Sequence, residues 1–360
     1  MTRDFPRRTV RTAVAACAAA LLAGTMAAPA SAEVVWDPDT LGVRYDPPEG
    51  FYSYAPSVVR DGDTTWIWSC HNDEHRVIKD HIYATKIVDG EVVSSESVLQ
   101  ASPAPAWDSF HVCDPSVVRG RFRHDGETYP YAMFYLGNDL DASAHNQIGV
   151  AFARRPEGPW VKRPEPVVTF DRTDQWGVGQ PSAVTLTPGS GRVVLFYTRG
   201  DTSTRAYQRV LNLGRTGGIR VSEPVRLSTD GLTGHDGSPD WLNGYDVAFH
   251  PRERRFYVVR EQHPYPAEGD NPWWIGPSVQ VASIDAHSVF HGGGRWREEA
   301  VIDHALTGLD RNHNAGITRS WSGRLPDPPR LETVFTDSCS GDTCDSLFEY
   351  DLWSVSGTIR

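Results

Sequence analysis

One unit of sequence recurs five times along the chain, and no other feature restricts the fold as much. The copies open at Tyr54-Ala55-Pro56-Ser57-Val58-Val59, Cys113-Asp114-Pro115-Ser116-Val117-Val118, Gly179-Gln180-Pro181-Ser182-Ala183-Val184, Tyr245-Asp246-Val247-Ala248-Phe249 and Asn314-Ala315-Gly316-Ile317-Thr318. Taking Ala55, Asp114, Gln180, Asp246 and Ala315 as equivalent, the steps are 59, 66, 66 and 69 residues. Each opening is followed by a turn and an aromatic or β-branched second strand, such as Tyr131-Ala132-Met133-Phe134-Tyr135 or Val193-Val194-Leu195-Phe196-Tyr197. Third strands follow, the last of them near Phe348-Glu349-Tyr350-Asp351-Leu352, and the clearest outer strands are Glu165-Pro166-Val167-Val168 and Glu223-Pro224-Val225-Arg226. A unit of this length fits a four-stranded blade, and five blades around one axis bury their faces against each other without helices. The expected fold is therefore all-β, a five-bladed β-propeller with about four antiparallel strands per blade over residues 33–360. Val34-Val35-Trp36 is expected to supply the outer strand of the last blade and close the ring. A β-sandwich would leave five evenly spaced strand triplets to coincidence.

Residues 1–32 are excluded from the fold because they read as a signal peptide. Arg3, Arg7, Arg8 and Arg11 precede an Ala-rich apolar run, and Ala30-Ser31-Ala32 supplies the small residues of a cleavage site after Ala32. A secreted, extracellular protein is expected. Removing the leader takes away four arginines and Asp4, which moves the formal charge from -11 to -14. Nucleic acid is an unsuitable partner for such a chain, since a polyanion is held by clustered Lys and Arg. No later stretch is apolar enough to span a bilayer, and a monomer is expected. Four cysteines remain after the leader, an even number that suits disulfides in an exported protein. Cys339 with Cys344 and Cys70 with Cys113 is the preferred pairing; sequence leaves the other two open.

The topology turns sequence position into location. The innermost strand of a blade runs from one face to the other and the second returns, so residues just before the first strand and just after the second share a face. Those positions hold Trp107, Trp176, Trp241, His313 and Asn314 on one side of the repeat, and His71, Asp73, Asn138, Asp139, Arg199, Asp201 and Glu261 on the other. Asn, Asp and Gly after a strand are also ordinary turn formers. Five convergent copies nonetheless form a funnel ringed by carboxylates, amides and indoles, which suits a neutral polyhydroxyl ligand.

The segment Ile148-Gly149-Val150-Ala151-Phe152-Ala153-Arg154-Arg155-Pro156-Glu157-Gly158-Pro159-Trp160 resembles the second-blade segment of glycoside hydrolase family 43, the arabinanase and xylosidase family. Cys113-Asp114-Pro115-Ser116 is similar to the Asp-Pro that opens the same blade there and in the fructan-cleaving families 32 and 68. The resemblance implies three acting carboxylates: a blade-one Asp as base or nucleophile, a blade-two Asp that tunes the acid, and a blade-three Glu as acid. Asp114 matches the second. Ala55 and Gln180 stand where the first and third belong, and an amide cannot donate a proton as a carboxylic acid does.

The reading that follows is a glycosidase of arabinan or xylan type whose acid and base have moved. Its candidate catalytic residues are Asp114, Asp246, Glu261 and Asp73, with His71, Asn138, Asp139, Gln180, Arg199, Asp201, Trp107, Trp176, Trp241, His313 and Asn314 as substrate-binding candidates. It requires no cofactor and leaves room for a structural calcium ion on the axis. Two alternatives stay open. One is a carbohydrate-binding propeller that lost the chemistry. The other is a calcium-dependent propeller enzyme such as a lactonase, with Asp114, Asp246, Asn138 and His313 around the ion.

Overall fold

The computed structural model describes residues 33–326 and 330–360. Five antiparallel sheets follow one another along the chain. Blade one comprises Ser53–Asp61, Thr64–Asn72, Asp80–Val88 and Glu91–Leu99, and blade two His111–His124, Glu127–Asn138, Gln147–Ala153 and Val161–Lys162. Blade three comprises Gly177–Thr185, Arg192–Gly200 and Thr204–Asn212, whose outer edge pairs with both Arg220–Val221 and Val225–Arg226. Blade four comprises Asp246–His250, Arg255–Glu261, Val279–Asp285 and Arg297–Ile302. Blade five comprises Arg311–Ile317, Arg330–Ser338 and Asp351–Ile359, and Val34–Tyr45 adds its outer strand from the other end of the chain. The ring therefore closes as the sequence suggested, with Val34 opposite Ile359.

Both faces of a blade are covered by its neighbours, so the inner strands read as continuous apolar runs rather than alternating ones. Gln147–Ala153 is buried at every position. Five apolar cores result, one in each space between blades: Trp68 with Met133 and Tyr135, Phe134 with Leu195, Phe196 with Phe256, Tyr257 with Phe335, and Val334 with Ile67. Cys70 pairs with Cys113 and Cys339 with Cys344. The first of these joins blade one to blade two. Among the described residues no helix is long and apolar enough to cross a membrane. The leader and its cleavage site lie outside the described residues.

Three details of the sequence reading are corrected. The outer strand of blade two is Val161–Lys162, while Val168 makes only an isolated bridge to Ile148. The last third strand begins at Asp351, because Ser346–Glu349 forms a 3-10 turn. The repeat equivalence also shifts in blades four and five. Register skips between Tyr54 and Ser57, Cys113 and Ser116, Gly179 and Ser182, and His313 and Gly316 mark a β-bulge at the head of the innermost strands of blades one, two, three and five. The bulged residues Ala55, Asp114, Gln180 and Asn314 have φ of 51°, 46°, 52° and 41°, and Gly244 at 50° is their blade-four counterpart. Asp246 is therefore the equivalent of Ser57, Ser116 and Ser182, not of Asp114.

Candidate active site

The bulges create two tiers around the axis. In the lower tier the side chain of one blade accepts the backbone N–H of the next. Ser57 Oγ accepts from Val117 N (3.2 Å), Ser116 Oγ from Ala183 N (2.9 Å), Ser182 Oγ from Val247 N (2.9 Å) and Asp246 Oδ2 from Ile317 N (3.0 Å). The fully buried Arg319 fills the middle of this tier. Its guanidinium donates to Ser116 Oγ (2.9 Å) and Val247 O (2.5 Å) and lies 3.2 Å from Asp246 Oδ1, which also accepts from Ser182 Oγ (2.6 Å). Both oxygens of Asp246 are thus committed to holding blades and Arg319 together.

The upper tier carries the bulged residues, and it is open. Asp114 Oδ2 accepts from Gln180 N (3.2 Å), and Gln180 Oε1 accepts from Gly244 N (3.1 Å). Ala55 and Gly244 have no acceptor to continue the ring. In each case the second strand supplies one. Cys70 Sγ accepts from Asp114 N (3.0 Å), and Glu261 Oε1 accepts from Asn314 N (3.3 Å). Cys70 and Glu261 occupy equivalent positions, each two residues beyond the partner of a lower-tier residue, Trp68 opposite Ser57 and Val259 opposite Asp246. Gly244 is required here, since a Cβ would stand 2.7 Å from Glu261 Cδ at a backbone φ of 50°.

Residues of both tiers line a small axial pit of about 30 Å³, among them Ala55, Asp114, Gln180, Gly244 and Asn314 of the upper tier and Asp246 of the lower. It shares Asp114, Gln180 and Asn314 with a cleft of about 400 Å³ over blades one to three, a size suited to a small ligand. Tyr54, Asp80, His111, Asn138, Asp141, Asn146 and Trp176 complete the walls of the cleft. Asp114 stands where pit and cleft meet. Burial pushes its carboxyl up to about 7, partly offset by the Gln180 N–H and reinforced by the charges of Asp80 and Glu261. Asp80 faces the same cleft from the head of the third strand of blade one. The Tyr52 hydroxyl donates to Asp80 Oδ1 (2.8 Å), and His111 Nδ1 lies 3.1 Å from Oδ2. The Tyr54 hydroxyl, 3.2 Å from the disulfide sulfur of Cys113, is raised by burial and by Asp80.

Of the residues singled out from sequence, Asp114, Asn138, Gln180, Trp176 and Asn314 meet in this cleft. Others are placed elsewhere. Glu261 stands behind the pit wall, raised by burial, with Tyr265 donating to its Oε2 (3.2 Å). His313 is buried beside it, with Nδ1 3.9 Å from Glu261 Oε1, and burial lowers its pKa to about 3. Asp73 accepts from Gln100 (2.8 Å) toward the outer edge of blade one, and His71 stacks on Tyr83 at 4.0 Å with its Nδ1 donating to Asn72 O. Asp139 pairs with His145 (2.7 Å), while Asp201 is held between Arg199 and Arg205 (3.1 Å each). Trp107 stacks on Tyr135 at 5.8 Å and donates to Pro164 O, and Trp241 stacks on His263 at 4.1 Å.

Asp80, His111, Asp141 and Asn146 were not singled out. The topological rule that found the others covers Asp80 and Asn146 too, because a third strand starts on the face where the second one ends.

No family model matches the sequence, and no curated protein is similar to it in sequence. Solved structures of the same architecture are found. A thermostable family-43 glycoside hydrolase is 16% identical, over 88% of this chain and 91% of that one, with a TM-score of 0.53. An α-L-arabinofuranosidase from Podospora anserina, solved with cellotriose, is 11% identical over 91% and 97% at a TM-score of 0.56. The catalytic domain of a GH62 α-L-arabinofuranosidase from Coprinopsis cinerea is 13% identical over 91% and 98%, with a TM-score of 0.57. At these identities the likeness is one of fold, the five-bladed propeller shared with glycoside hydrolases.

Proposed function

We propose that the protein is an exported glycoside hydrolase acting on a neutral arabinan- or xylan-type polysaccharide or oligosaccharide, with Asp114 as its proton donor. The observation that carries this reading is a carboxyl raised to about 7 at the junction of pit and cleft, with a second carboxylate, Asp80, on the same cleft. Cleavage of a glycosidic bond needs that pair: one group protonated at working pH and one ionised. Protonated Asp114 gives its proton to the glycosidic oxygen as the bond to the anomeric carbon breaks. Water supplies the hydroxyl that replaces the leaving sugar, and Asp80 takes the water's proton. Asn138, Gln180 and Asn314 bind sugar hydroxyls, and Trp176 offers a ring to stack on. The role of Asp246 is moved from acid–base chemistry to holding Arg319. Asp246 is therefore withdrawn from the set of residues for an axial calcium ion. The two disulfides suit an oxidising compartment.

The second reading, a sugar-binding propeller without turnover, is favoured by Ala55 and Gln180 at two of the five upper-tier positions. Incubation of residues 33–360 with arabinan, arabinoxylan and fructan separates the two. Released oligosaccharide is expected, and Asp114→Asn should lower turnover by about 10²–10⁴-fold with the fold unchanged. Binding without any release would leave only the second reading.

A further inference from the structure

The funnel-face segments of blade four carry three exposed tryptophans that the site described above does not use. Trp241, Trp273 and Trp274 are 37%, 47% and 47% exposed, and all three belong to blade-four segments on the funnel face: Trp241 before the innermost strand, the other two between the second and third strands. Large apolar side chains left in water cost stability unless something covers them.

Trp241 is held as a plate. One face of its indole lies on the His263 ring at 4.1 Å and 16° between planes. His263 Nδ1 donates to Asp240 Oδ1 (2.7 Å), and Arg260 Nη1 donates to Asp240 Oδ2 (2.6 Å). Arg260, Asp240 and His263 are all buried, so the hydrogen bonds to Asp240 fix the imidazole under the indole. Trp273 and Trp274 meet at 86° with centroids 5.8 Å apart, an L-shaped corner with two exposed faces. Their loop is anchored at both sides. Ile275 packs with Tyr52 and Tyr350, Asp270 pairs with Arg311 (3.1 Å), and Asn271 O accepts from Gly341 N (2.9 Å) in the small disulfide loop.

We infer that these three tryptophans form a docking platform for a neutral polysaccharide chain, outside the cleft and distinct from the catalytic step. Rigid indoles with a free face stack on the apolar faces of sugar rings at little entropic cost. The chain's net negative charge favours a neutral glycan over a polyanionic one. The inference rests on the carbohydrate reading of the funnel, of which it is an outward extension toward longer substrates.

The test uses residues 33–360 carrying Asp114→Asn, so that binding is read without turnover, with arabinoxylan, arabinan and xylotriose as probes in titration calorimetry. Adding Trp241→Ala should weaken polymer binding about tenfold, the worth of one ring stack. Trp273→Ala with Trp274→Ala should do so by a similar factor, and each loss should exceed that for xylotriose. Trp241→Phe should restore most of the affinity. Unchanged polymer affinity after all three replacements overturns the inference, as does a parent protein that binds neither polymer. If the protein without Asp114→Asn binds polymer through these residues but releases no sugar, the platform stands and the glycosidase reading falls.

Discussion

The two tiers around the axis lie only two residues apart in every blade, yet they differ in kind. The lower tier is packed, with three serines and Asp246 each accepting the next blade's N–H, Gly316 at the blade-five position and Arg319 filling the centre. The upper tier is irregular and open, with Ala, Asp, Gln and Asn at the four bulged positions and Gly244 as their blade-four counterpart. Packed, hydrogen-bonded polar groups hold a fold together. A carboxyl of raised pKa facing a cleft can do chemistry. Under the proposed function, Asp114 and Asp246, alike in sequence setting, receive opposite tasks.

Removing Asp246 should have the largest effect on this contrast. Asp246→Ala leaves the Arg319 guanidinium buried with its carboxylate partner gone, and breaking such a pair costs about 3–5 kcal/mol. Denaturant unfolding should show a loss of that order, and a stability close to that of the unsubstituted protein would remove the structural role assigned to the lower tier.

An intermediate effect is expected from pH. The carboxyl of Asp114 is raised from 3.8 to about 7, so the proton-donating form persists up to that pH. Turnover limited by it should fall about tenfold per pH unit above 7, and an activity that rises through pH 8 would exclude Asp114 as the donor. The same shift acts on stability. A folded-state pKa above the unfolded one favours folding fully below the unfolded value, and that contribution is lost as pH rises through about 7. Asp114→Asn should therefore flatten the decline in melting temperature between pH 4 and 8.

The smallest effect sharpens the lower tier itself. Ser182→Ala removes the acceptor for Val247 N and a donor to Asp246, and about 1 kcal/mol of stability should go with them while turnover is retained. A loss of turnover without a loss of stability would mean that the two tiers are not separable in function.

Much of the architecture was legible. The five blades and the ring closure by Val34-Val35-Trp36 follow from repetition, and the Cys70–Cys113 pairing, preferred once Cys339 and Cys344 were joined, agrees with which strand ends share a face. Asp114, Gln180 and Trp176 were legible for the same reason. Asp80 stands at the head of a third strand, a position the same rule covers but the repeated openings do not mark. Asp246 could not be sorted from Asp114 by spacing, since a bulge inserts a residue into the pairing and blade four carries its positive-φ position on Gly244, outside the assigned strand. Nothing in sequence announced that Glu261 would take the place of a side chain Gly244 lacks, or that Arg319, just past the last innermost strand, would reach Ser116 in blade two, 203 residues away.

Sequence alone determined the number of sheets and the face on which their polar ends gather, because these depend on strand period and strand direction, which are local and repeat. Only the tertiary structure decided which carboxylates face open space and which are consumed by the axis. That choice depends on bulge register and on contacts between blades far apart in the chain, where a shift of two residues moves a side chain from the open cleft to the contacts around Arg319.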